Sequence, residues 1–196
     1  MSEIPSVSVP HFDNLEKLAR SSLVQQRFGG ADMKRISAFE ERYGVTFSDA
    51  YRRFLTRENG LDICIPLETV EALPSNAQSD GFVLWDINTL FGLGNGHPYH
   101  DLERLAPDMG FHDYELTPFA HVIALGGDFC TLVEIIRGSH AGKIIYTDGE
   151  LFHGLPRNEI LCKTDDEAFD YLTDLGYYMP IADNLDDLWE KYVRLV

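Results

Sequence analysis

Between Met33 and Gly60 the chain reads MKRISAFEERYGVTFSDAYRRFLTRENG, and this stretch constrains the fold more than any other. Ile36, Phe39, Glu40 and Tyr43 fall at i, i+3, i+4 and i+7, so the three apolar members form one stripe of a helix. Lys34, Arg35, Glu41 and Arg42 then stay in water. Asp32 is placed to cap this helix through its side-chain oxygen, and Gly44 sits where a left-handed residue ends one. Val45 and Phe47 make an extended link. Ser48 is the cap expected for a second helix, with Asp49 at the positive end of its dipole. Tyr51, Phe54 and Leu55 share the buried face of that helix, and Asn59-Gly60 stops it and turns the chain.

After this helical pair the period changes. Leu61 to Ile65 alternates like a strand before Pro66, and Phe82 to Ile87 reads as a second strand, rich in β-forming residues. Leu90 to Gly96 leaves the sheet through a glycine-rich loop, and residues 97–118 read as irregular, with helical turns near Asp101 to Leu105. Strands are expected again at His121–Leu125, Thr131–Ile136 and Lys143–Thr147, with Asp148-Gly149 as a hairpin turn into Glu150-Leu151-Phe152. These short spacings describe an antiparallel meander and not βαβ units. Thr164 or Asp165 caps a helix over Glu167–Leu175, closed by Gly176, and Asp183 to Arg194 forms a last amphipathic helix. Ahead of the helical pair, residues 1–12 read as extended, and a helix is expected from Asp13 or Asn14 to about Phe28. The fold class that follows is α+β. It is a single domain with N-terminal helices packed on a mainly antiparallel sheet of about four to six strands, and with acidic C-terminal helices. Residues 1–32 are expected as an N-terminal extension and accessory helix, and 33–196 as the domain proper.

Charge narrows the function classes. The 196 residues hold 16 Lys+Arg against 32 Asp+Glu, a formal net charge of −16. The imbalance is local: residues 1–57 carry 9 bases and 7 acids, and residues 58–196 carry 7 bases and 25 acids. No Lys or Arg lies between Arg57 and Arg104, or between Lys163 and Lys191. Such a surface argues against direct binding of nucleic acid, which needs cationic groups to neutralise phosphate. It favours a basic protein partner steered in by its field. The sequence has no apolar run near the ~20 residues of a membrane span, and MSEIPSVSVPHFD lacks the basic and apolar regions of a secretory signal. Cys64, Cys130 and Cys162 are odd in number and far apart, as expected of reduced thiols in a cytoplasmic protein.

In this order the elements resemble the SUKH superfamily, which includes the SMI/KNR cell-wall-assembly regulators of fungi and many bacterial toxin-immunity proteins. Three pieces carry the resemblance. Ile36-x-x-Phe39-Glu40-x-x-Tyr43-Gly44 resembles the family's first helix and its glycine. Tyr51-Arg52-x-Phe54-Leu55 with Asn59-Gly60 resembles its second helix and turn. Val122-Ile123-Ala124-Leu125-Gly126, with Gly142-Lys143-Ile144-Ile145-Tyr146 and Asp148, resembles the later strands. The likeness covers about residues 33–175. It departs at Thr46-Phe47-Ser48, where the family usually has Leu-Pro, and at Leu61, where a second glycine is common. The resemblance implies a domain that binds another protein and brings no catalytic residues with it.

Other constellations are weaker. His97-Pro98-Tyr99-His100-Asp101 groups two imidazoles with a carboxylate, but Pro98 opposes the helix that would align them for a metal. Gly92-x-Gly94-x-Gly96 is not followed by the lysine of a phosphate loop and reads as a flexible loop. No G-x-S-x-G elbow is present. The expected role is therefore a non-enzymatic immunity protein, without cofactor or metal, that neutralises a cognate basic toxin of the nuclease or deaminase type in the cytoplasm. The candidate interface residues are Asp101, Asp108, Asp113, Tyr114 and Glu115 in the acidic-aromatic loop, and Asp183, Asp186, Asp187 and Trp189 in the last helix. A regulatory or scaffold protein of the cell-wall type is the first alternative. A metal-dependent enzyme using His97 and His100 is the second.

Overall fold

Seven strands lie side by side in chain order in one antiparallel sheet of a computed structural model, which describes residues 12–98, 101–105, 119–127, 130–148 and 157–196. They are β1 (Val24–Arg27), β2 (Leu61–Ile63), β3 (Ile87–Leu90), β4 (Ala120–Gly126), β5 (Cys130–Ile135), β6 (Ile144–Asp148) and β7 (Met179–Ala182). The helices of the described residues are α1 (Phe12–Ala19), α2 (Met33–Tyr43), α3 (Asp49–Arg57), α4 (Leu67–Glu71), α5 (Ser75–Asp86), α6 (Leu102–Leu105), α7 (Arg157–Leu161), α8 (Asp165–Asp174) and α9 (Leu185–Val193). The architecture is mixed α+β, as the order of periodicities implies.

The helical pair forms as its caps dictate. The Lys34 N–H donates to Asp32 Oδ1 at 2.9 Å, Gly44 closes α2 at φ 64°, and the Tyr51 N–H donates to Ser48 Oγ at 3.0 Å. Ile36 and Phe39 of α2 and Tyr51, Phe54 and Leu55 of α3 are all buried. Glu40, the polar member of the stripe, accepts from the Phe47 backbone and from the Arg52 guanidinium at 2.7 Å each, tying the link to both helices. Late in the chain Thr164 caps α8 in a reciprocal box with Glu167.

The centre of the sheet is covered on both sides, since every residue of β5 is buried. His121 of β4 stands opposite Glu134 of β5 and meets the rings of Phe47 and Tyr51, which places the α2–α3 pair over that face. Phe119, Phe169 of α8 and Tyr178 form a further edge-to-face aromatic group. On the N-terminal side, α1 packs against α9 and β1 pairs with β2, so Leu15, Leu18 and Leu23 join the same core cluster as the rest. The described part of the expected N-terminal extension therefore shares the core of the domain that follows it.

Three elements differ from the sequence expectation. The helix expected to run to Phe28 stops at Ala19, and Val24–Arg27 instead adds an edge strand along β2. Phe82 to Asp86 is not a strand but the second half of α5, and the strand begins only at Ile87. Among the described residues the sheet has seven strands, against about four to six expected, because β1 and β7 flank the meander. The expected hairpin beyond Asp148 lies outside the described residues.

Candidate protein interface

The turn at Asn59-Gly60 does more than end a helix. Asn59 takes a left-handed backbone (φ 52°) that points its side chain into the loop after β3. Its Nδ2 donates to the Leu93 carbonyl at 3.1 Å while its Oδ1 accepts from the Leu93 N–H at 2.6 Å. Asn95 Nδ2 returns a bond to the Asn59 carbonyl at 3.0 Å, and Tyr51 O–H donates to the Phe91 carbonyl at 3.0 Å. A Cβ on Gly92 would collide with the Asn59 carbonyl, so glycine is required for this approach.

Asp101 completes the loop from the other side. Its Oδ1 accepts from the N–H groups of Gly94 (2.7 Å) and Glu103 (3.0 Å), and its Oδ2 accepts from Gly96 N–H at 2.8 Å. The segment expected as a flexible loop is thus a built one. Its glycine N–H groups are spent on an internal carboxylate, not held open for a phosphate. Asp101 is 4% exposed, so it staples the loop and presents nothing to a partner, which corrects its placement as an interface acid. His97 packs edge-on against Phe28 at 5.4 Å, while His100 lies outside the described residues. Among the described residues no group of three or more His, Cys, Asp or Glu could hold a metal ion.

Beneath the α2–α3 pair His121 Nε2 and Glu134 Oε2 lie 2.9 Å apart, both side chains almost fully buried. His121 Nδ1 has no hydrogen-bond partner there. Burial, and then the Glu134 charge, push the Tyr51 hydroxyl well above its usual range. These groups are buried beneath the rings of Phe47 and Tyr51.

The bases of the first third are largely consumed inside the fold. Arg27 pairs with Glu58 (2.7 Å), Arg35 with Glu103 (2.8 Å), Arg52 with Glu40 (2.7 Å), Arg53 with Asp186 (3.8 Å) and Arg57 with Glu16 (3.8 Å). The Arg35–Glu103 pair is bidentate, at 2.8 Å on both arms. The hydrogen bond from Arg35 holds the Glu103 carboxyl below its usual range, and the same bond raises the Arg35 guanidinium. Acids remain outward on α8 (Glu167, Asp170, Asp174) and near α9 (Asp183, Glu190).

Of the other interface candidates, Asp108, Asp113, Tyr114 and Glu115 lie outside the described residues. Asp183 is exposed. Asp187 Oδ2 accepts from the Asp183 N–H at 3.1 Å, and Asp186 is half-buried against Arg53, so both also serve the start of α9. Trp189 is 2% exposed and stacks on Phe54 with ring centroids 5.4 Å apart, which makes it a core residue and not an exposed anchor.

Two aromatics that sequence reasoning assigned to a strand take the exposed place instead. Phe82 and Trp85 of α5 are 44% and 43% exposed, and they are the only exposed aromatic side chains among the described residues. Three apart on one helix, they are surface neighbours. A signal was present: Phe82-Val83-Leu84-Trp85 is apolar throughout and does not alternate, and Pro74-Ser75-Asn76 precedes it as a helix start does.

Compared with known proteins, the sequence model described as the SMI1 / KNR4 family (SUKH-1) matches residues 30–191. No match is found among curated proteins.

Proposed function

Because the chain belongs to the SMI1 / KNR4 family (SUKH-1), we propose that it is a non-enzymatic, protein-binding immunity protein that neutralises a cognate bacterial toxin in the cytoplasm. The observation that carries this reading is the charge of the chain beyond residue 57, 25 acids against 7 bases, an excess that remains after Glu58, Glu103 and Asp186 pair with Arg27, Arg35 and Arg53. A toxin that cleaves or deaminates nucleic acid needs a cationic groove for phosphate. An anionic protein competes for that groove, and steering lifts association to on the order of 10⁸–10⁹ M⁻¹s⁻¹ at low salt. Asp108, Asp113, Tyr114, Glu115, Asp183, Asp186 and Asp187 are the proposed contributors.

The experiment is co-expression with the protein encoded immediately upstream, followed by purification of a complex and a growth assay. The reading expects a 1:1 complex and survival of cells that die without this chain. Charge reversal at Asp108, Asp113 and Glu115 then slows association and flattens its salt dependence without changing the fold. Unchanged kinetics at low salt would remove that loop from the interface.

A further inference from the structure

We propose that the outer face of α5 is the aromatic centre of the partner interface, with Phe82 and Trp85 receiving an arginine- or lysine-bearing surface of a basic protein. The proposal rests on the protein-binding reading above and names its site.

The exposure of these two rings follows from the way α5 packs. Gly81 faces α4, where a Cβ would come within 2.6 Å of Leu73 Cδ1 and 3.1 Å of Val70 Cγ1. A larger residue here would have to push the Leu73 tip and Val70 aside. Leu84, three residues on, is buried with it. Lys191 of α9 grips Asp80 at 2.6 Å. These contacts fix the rotation of α5 and turn Phe82 and Trp85 outward. Two large rings held in water by a rigid helix are a standing cost of apolar hydration, which a partner relieves.

Charge chooses the partner. From Glu58 to Glu103 the chain carries eight acids and no Lys or Arg; Glu58, Asp80, Asp101 and Glu103 are spent on contacts within the fold, while Glu68 and Glu71 stay exposed. Gln78, one turn before Phe82, donates to the Glu71 backbone carbonyl at 3.2 Å, which ties α5 to α4 and its exposed Glu68 and Glu71. Asp86, next after Trp85, turns instead toward β6, its carboxylate 3.5 Å from the Tyr146 hydroxyl. The charges acting on Tyr146 and its neighbour Cys130 include the carboxylates of Asp86 and Asp148, which help to raise both groups after burial has done so. An exposed indole on an acidic surface suits a guanidinium, which stacks on the ring. A second copy of this chain, at −16, would bring like charge to like charge and is disfavoured.

The test uses the full chain and the purified product of the upstream gene. Phe82→Ser and Trp85→Ser together are expected to weaken the complex at least about 30-fold, as loss of an interface hot spot does, with the thermal melt unchanged. The emission of Trp85, isolated by subtracting Trp85→Phe from wild type, is expected to move to the blue and become shielded from acrylamide when partner is added. Full-strength binding by the double variant, or a Trp85 left open to acrylamide in the complex, overturns the inference and leaves the immunity reading standing. A concentration-dependent homodimer that shields Trp85 overturns it in favour of self-association. No complex with wild type sinks the reading and the inference together.

Discussion

Asn59 and Leu93, 34 residues apart, exchange two hydrogen bonds through the Asn59 side-chain amide, and so join the end of α3 to the loop after β3. A neutral side chain that is both donor and acceptor at fixed spacing is needed, on a backbone that tolerates φ 52°. Asn59→Ala is expected to lose about 2–4 kcal/mol in urea unfolding, from two orphaned buried backbone groups plus left-handed strain. Asn59→Gly should recover only the strain component. An Ala variant within about 0.5 kcal/mol of wild type would show that the loop is held by other means.

His121 and Glu134 form a sealed polar pair, and such pairs are costly to break and cheap to replace. Glu134→Ala is expected to cost about 3 kcal/mol, because it leaves the His121 ring buried with neither nitrogen bonded. Replacing both residues with leucine should return stability to within about 1 kcal/mol of wild type. Urea midpoints with constant slope decide between these outcomes.

Glu103 carries a pH signature. Its carboxyl is held down by the bond from Arg35, so its folded value lies below its unfolded one. The stabilisation is therefore complete above the usual carboxylate range and is lost as pH falls through that range and beyond. The pair is about half exposed, so screening limits it to roughly 1 kcal/mol or less. The stability gap between wild type and Glu103→Gln should close on acidification and stay constant from neutral pH upward. A gap that widens in acid would reverse the sign and contradict the assignment.

Trp189 ties α9 to α3 through its stack on Phe54. Trp189→Ala is expected to cost about 3–5 kcal/mol, and Trp189→Phe much less. If partner binding is measured on the folded fraction alone, Trp189→Phe should bind as wild type does. A specific loss of affinity would return this ring to the interface.

What could be read from sequence was local. The caps at Asp32, Ser48 and Thr164 and the stop at Gly44 are decided by side chains within three or four residues, and each forms as expected. Elements decided by distant partners were hidden. Val24-Gln25-Gln26-Arg27 is a strand because β2 offers it an edge, and Met179-Pro180-Ile181-Ala182 because β6 does. Phe82 to Trp85 has β propensity, but α4 packing on Gly81 overrides it. The site suffered the same limit. Trp189 has the composition of an interface, yet it is taken up by the distant Phe54; Asp101 is taken up by N–H groups within seven residues of it, in an irregular loop that has no periodicity to reveal them.

The central claim is that this chain acts by offering negative potential to a cationic protein. The most direct measurement is the stopped-flow association rate with the upstream gene product at about 50 and about 300 mM salt, where screening differs strongly. The account predicts fast association at low salt that falls about tenfold or more at high salt, with dissociation little changed. An association rate indifferent to salt, or the absence of any complex, would contradict it.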